Sequence, residues 1–106
     1  MLISTLEKIP NKEIVEVLGI VKGNTVRARW FGADVWAGLK QIVGGEIGSY
    51  TSMIDRAREE ALKRMVKKAE KLGADAVVGV RFTTSSIMSG AAEILVYGTA
   101  VKLRSK

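Results

Sequence analysis

"KLGADAVVGVRFTTSSI", Lys71 to Ile87, is the stretch whose reading decides the fold. A basic helix end stops at Gly73, an apolar run follows, and the run closes on Arg81 and the hydroxyls of Thr83 to Ser86. Gly73 stands where a left-handed residue ends a helix. From Ala76 to Thr84 the side chains alternate, with Val78, Val80 and Phe82 on one side and Val77, Gly79, Arg81 and Thr83 on the other. That is the period of a strand. The stretch is either a helix handing over to a strand or a binding loop worked by Asp75, Arg81 and the hydroxyls. Asp75 is better placed to hydrogen-bond turn amides than to do chemistry.

The preceding segment, Thr51 to Gly73, predicts a long helix. Thr51 or Ser52 serves as its cap. Asp55, Glu59 and Glu60 near its start and Lys67, Lys68 and Lys71 near its end complement the helix dipole. Its apolar face is Ile54, Ala57, Ala61, Leu62, Met65, Ala69 and Leu72, and the alanines allow close approach to whatever it covers. Further back, "GADVWAGLKQIVGG", Gly32 to Gly45, predicts a short helix. Val35, Trp36, Leu39, Ile42 and Val43 fall at helical spacing, with Asp34 at the start and Gly44 at the end. Gly38 weakens that helix by about 1 kcal/mol relative to alanine. Gly44 and Gly45 then form a tight turn between helices, leaving Glu46 as a surface or interface charge. Asn11 to Arg29 reads as a strand rich in β-branched residues. Gly23-Asn24 is a turn or kink signal, after which Thr25 to Arg29 either pairs back or continues extended.

On the other side of the opening stretch, Ser85 to Glu93 reads as a flexible connection and Glu93 to Leu103 as the last strand. Ile94, Val96, Gly98 and Ala100 line one of its faces, and Leu95, Tyr97, Thr99, Val101 and Leu103 the other. Both are largely apolar, unlike a strand with one wet face. Each main strand also carries a glycine near its middle, at Gly19, Gly79 and Gly98. A groove in which these glycines receive the alanine face of the long helix is favoured over three independent bulges.

Composition bounds the rest. The chain has 106 residues, enough for a single domain spanning 1–106, with 47% hydrophobic and 26% charged residues. Its apolar runs are far below the roughly 18 residues of a membrane helix, and its N-terminus has no secretory pattern. With no cysteine, nothing points to an oxidising compartment, and a cytoplasmic protein is expected. Zero Cys and zero His remove the common zinc, copper and iron–sulfur ligand sets, together with thiol nucleophiles and imidazole acid–base catalysis. This lowers the case for an enzyme. The net charge of +6 invites a nucleic-acid reading. The long helix, however, interleaves both signs, pairing Glu59 with Lys63 and Glu60 with Arg64, as a solvated face does.

Candidate sites are few. Arg27, Arg29 and Arg81 form an anion site only if they converge; singly they are strand-edge residues. Glu46, Tyr50, Arg58 and Arg81 are the groups to test for an interface site. Trp30 and Trp36 suit either stacking on a planar, flavin-like ring or anchoring a core or interface. Met53, Met65 and Met88 are soft donors, but scattered ones, and Met65 lies on the apolar helix face. Gly44-Gly45 lacks the preceding strand and following Gly-Lys-Ser/Thr of a phosphate loop. The second apolar sheet face asks for a cover that two helices do not supply, and self-association as a closed ring is expected.

Together, "GIVKG" at Gly19–Gly23, "DVWAGLKQIVGGE" at Asp34–Glu46, Tyr50, "AREEA" at Ala57–Ala61, "LGADAVVGVRF" at Leu72–Phe82 and "YGTAVKL" at Tyr97–Leu103 resemble the YbjQ-like family of small prokaryotic proteins. The resemblance runs over nearly the whole chain in the right order. It implies a dodecin-subunit-like α+β fold: a small antiparallel sheet of about three main strands carrying one short and one long helix, in the order β-α-α-β-β. It also implies assembly as a homopentamer or decamer. The family is described as a heavy-metal-binding domain. Here a soft metal would find only methionines, and a hard one only Asp34, Glu46, Asp75 or Glu93. Where some relatives carry acidic residues after "GADAVVG", this chain has Arg81 and Thr83. The function expected first is a non-enzymatic oligomeric module with a small ligand or metal ion at subunit interfaces. Two alternatives stand beside it: an enzyme or flavin-type cofactor binder with an interface site, and nucleic-acid binding through the basic helix.

Overall fold

The strand at the C-terminal end lies inside the sheet, paired along both of its edges. In the computed structural model, residues 1–28, 46–88 and 90–106 are described, with main chain alone for 46–51. The elements are β1 (Leu2–Ile3), β2 (Lys12–Ala28), α1 (Glu46–Lys71), β3 (Ala76–Met88) and β4 (Ala91–Ser105). They form one sheet in the order β1-β3-β4-β2, with α1 on one face. β4 pairs antiparallel with β2 on one side and β3 on the other, while β1 pairs parallel with the start of β3.

This corrects the expected architecture. Among the described residues the sheet has four strands and is mixed, where about three antiparallel strands were expected. Among the described residues there is one helix, and the order is β-β-α-β-β, not β-α-α-β-β. The expected short helix, Gly32 to Gly45, lies outside the described residues, as do Arg29, Trp30, Asp34, Trp36, Gly44 and Gly45. The long helix starts at Glu46, so Thr51 and Ser52 lie inside it and do not cap it. The stretch expected as a flexible connection is instead mostly strand: β3 runs to Met88 and β4 starts at Ala91, with Gly90 at φ 77° in the hairpin.

Gly23-Asn24 does not turn. β2 passes straight through it, Gly23 opposite Val96 and Asn24 opposite Leu95, and keeps that register to Ala28. Gly23 is where the helix comes down on the sheet. A methyl group there would overlap the Ala61 carbonyl oxygen and stand 2.6 Å from the Met65 amide nitrogen. Beside it Thr25 is buried, and its hydroxyl donates to the Ala57 carbonyl at 3.0 Å. Ala57, Ala61, Met65 and Ala69 are fully buried against Val21, Ile94, Val96 and Ala100. Small residues on both elements bring the backbones together, and Met65 fills the space that remains.

The groove therefore exists, but Gly23 makes it. Gly19 and Gly79 have positive φ (128° and 63°), stand at register shifts of β2 and β3, and have no heavy atom within 4 Å of an added Cβ. They are bulge residues, whose backbone an L side chain adopts only with strain. Gly98 faces a neighbouring strand, where a Cβ would stand 2.6 Å from Val77 Cγ1. Gly73, at φ 78°, follows the last turn of α1.

A second, smaller cluster lies on the other sheet face: Ala76, Val78 and Val101, with Ile9, Ile14 and Leu103 packed against it. The segment between β1 and β2 covers only this end. The remainder of that face carries no cover from the described residues.

Candidate functional site

The sheet face left bare by the described residues is built by alternation. Residues paired across antiparallel strands share a face. The ladder thus sets Ile20 beside Thr99, Lys22 beside Tyr97 and Arg81, Asn24 beside Leu95 and Thr83, and Val26 beside Glu93 and Ser85. Several of these are apolar and wet: Ile20 is 78% exposed, Val17 64% and Val26 54%, with Tyr97 also exposed. Single exposed apolar residues are ordinary, but a row along one edge of an uncovered sheet is not. A weak polar contact crosses the row, from Asn24 Nδ2 to Glu93 Oε2 at 3.4 Å.

The arginines singled out in the sequence are not brought together. Arg27 is opposite Ala92 on the helix side of the sheet, whereas Arg81 is opposite Tyr97 on the uncovered side. Their β4 partners are also about 17 Å apart along the strand, at roughly 3.4 Å per residue. Arg81 Nη1 donates to the Thr5 carbonyl at 2.9 Å and the Val80 carbonyl at 2.8 Å, so its guanidinium ties the N-terminal segment to β3. Arg58 is exposed on α1 and pairs with Asp55 at 3.3 Å. Glu46 and Tyr50 lie in the first turns of α1, where only the main chain is described. Asp75 does hydrogen-bond an amide, but across the sheet: its Oδ2 accepts from Leu103 N at 2.8 Å.

Sequence reasoning missed Arg64, whose Nη1 donates to the Asn24 carbonyl at 2.6 Å and so reaches past the helix to the rim of β2. It also missed an open groove of about 520 Å³ beside α1, floored by Ile3, Leu62 and Val66 and rimmed by Lys63, Lys67 and Glu70. The helical spacing of Leu62 and Val66 signals such a flank; the contribution of Ile3 depends on β1, which is too short to show a period.

A soft-metal centre needs thiolate, imidazole or clustered thioethers, a hard one clustered carboxylates. The chain has no Cys or His. Met65 is fully buried in the core under α1, Met53 packs against that core, and Met88 is exposed at the far end of β3. Among the described residues no group of three or more His, Cys, Asp or Glu is placed to hold an ion.

Comparison with known proteins agrees along the full length. The model of the family described as "Putative heavy-metal-binding" matches residues 1–104. A UPF0145 protein of Archaeoglobus fulgidus is 64% identical over 104 residues, 98% of this chain and 96% of that protein. One from Thermosipho melanesiensis is 59% identical over 106 residues, covering 100% and 98%. One from Methanosarcina acetivorans is 53% identical over 106 residues and covers both chains completely. A crystal structure of a Pediococcus pentosaceus protein of unknown function, assigned to the DUF74 family, superposes with a TM-score of 0.67. It covers 98% of both chains at 19% identity, a likeness of fold. The metal named in the family description finds no fitting donor set among the described residues. With matches of this extent, the chain belongs to the YbjQ-like family and is a relative of the UPF0145 proteins.

Proposed function

We propose that the chain is the subunit of a closed homo-oligomer, five-fold in symmetry, that binds a small ligand at its subunit contacts and carries out no catalysis of its own. The row of Val17, Ile20, Val26 and Tyr97 on the uncovered sheet face carries this reading. A subunit that keeps such a row wet forgoes about 25 cal/mol for every Å² of apolar surface, which a neighbouring subunit recovers. The elongated shape of the described residues, 55 × 21 × 18 Å, supports the same reading.

The ligand of this proposal is not a heavy metal, because the chain has no Cys or His and the described residues gather no other donor set. The row of Lys22 and Tyr97, flanked by Thr83 and Asn24, offers a cation, a phenol and short polar groups to a small anionic or hydroxylated molecule at the contact between copies. Light scattering at micromolar concentration tests the assembly, and mass spectrometry of the denatured, freshly purified protein tests for a retained ligand. A monomer would sink the reading. An oligomer that releases no small molecule would leave a purely structural ring.

A further inference from the structure

β3 leaves the cover of the N-terminal segment halfway along. The Gly79 and Val80 amides donate to the Leu6 and Ser4 carbonyls at 2.8 and 3.1 Å, and Arg81 caps the Val80 carbonyl. Beyond that point Phe82 to Met88 is an edge, every side chain exposed, and no main-chain group among the described residues pairs with its outer side. The ladder says which groups point outward. Arg64 reaches the Asn24 carbonyl from beyond β2, so Asn24 turns its main chain away from β4. Leu95, opposite Asn24, therefore bonds toward β3 and meets Thr83. By alternation Phe82, Thr84 and Ser86 direct their amides and carbonyls out of the sheet.

Edges of soluble proteins are ordinarily blunted by charge, proline or bulges. β2 has all but the proline: Glu16, Lys22 and Arg27 lie along it, two register shifts interrupt it, and Arg64 occupies an outward carbonyl. The free half of β3, "FTTSSIM", has no charge, proline or glycine, and its one register shift, between Ser86 and Met88, falls beyond the regular run Phe82–Ser86. Pairing with the blunted β2 of another copy would require displacing Arg64. Pairing with a second β3 displaces nothing and sets no like charges against each other.

We propose that two copies join antiparallel through their β3 edges, about a two-fold axis at Thr84. This rests on the self-association proposed above but names a different contact, one that pairs rings or makes a simple dimer. Thr84 then faces Thr84 of the partner subunit, and Phe82 faces the partner's Ser86. The Cα atoms of such a hydrogen-bonded pair stand about 5.5 Å apart, within disulfide reach.

The test uses a chain that has no cysteine of its own. Thr84→Cys, mildly oxidised at low micromolar concentration, is expected to give a disulfide-linked dimer in at least tenfold excess over Glu59→Cys, an exposed helix control. A second pair of variants removes dependence on disulfide geometry. Thr84→Lys and Thr84→Glu each halve the native mass, and an equimolar mixture restores it, because only a position that opposes itself sets Lys against Glu. Failure of Thr84→Cys to cross-link, an unchanged mass in both charged variants, or loss without recovery on mixing overturns the proposal. A five-fold ring that survives those results leaves the function proposed above standing. A dimer that cross-links and goes no further removes the ring and keeps the pairing.

Discussion

Gly23 decides how close the helix can come. Its replacement by alanine drives a methyl group into the Ala61 carbonyl, backbone against backbone, with no flexible side chain to yield. Overpacking of this kind costs about 1–3 kcal/mol, and Gly23→Ala should fall at or above the top of that range in urea unfolding. Gly79→Ala meets no atom and bears only the left-handed backbone, about 1–2 kcal/mol. The order of the two is the prediction, since the glycine groove expected from the sequence would have given Gly79 the larger loss. Thr25→Val keeps the shape but deletes the hydroxyl donor to Ala57. A loss of about 1 kcal/mol at constant m-value is expected, and no loss would show that the hydroxyl is idle.

Helix and strand existence were legible at the scale of elements because apolar periods of 3.6 and 2 are long-range signals. Ile54, Ala57, Ala61, Met65 and Ala69 announced the buried face of α1, and all five are buried. Leu72 was assigned to that face as well but is 48% exposed, one turn too late to reach the sheet. Met65→Ala should therefore cost about 2–5 kcal/mol and Leu72→Ala well under 1, as read from denaturation midpoints. Glycine was the ambiguous letter. Glycine in a strand serves equally for a turn, a bulge or close approach, and only pairing partners separate the three. Gly23 looked like a turn because Asn24 follows it, and Gly79 like a contact because valines surround it. β1 escaped notice since two residues show no period, and the role of Arg81 escaped with it, because its acceptor at Thr5 lies in that segment. Of the candidate site, the alternation along β4 was legible. The separation of Arg27 from Arg81 was not, since it depends on which bulges shift the register.

At the scale of the whole molecule, the described residues give a mixed sheet with one face under α1, a second face covered at one end only, and an uncharged half-edge at β3. The family description names a heavy metal, and the described residues gather no donor set for one. Adding zinc, cadmium or copper(I) in equimolar amount should leave the thermal midpoint unchanged, and a chelator should do the same. A stabilisation of several degrees, corresponding to binding well below the metal concentration, would show a site that the described residues do not account for.

In the assembly proposed above, this subunit finishes its core only against copies of itself. Light scattering of the purified protein at micromolar concentration and moderate salt tests that claim most directly. The mass expected is a multiple of five 11.5 kDa subunits, independent of dilution over a tenfold range. A mass of one subunit, with Ile20 and Tyr97 left in water, would contradict it.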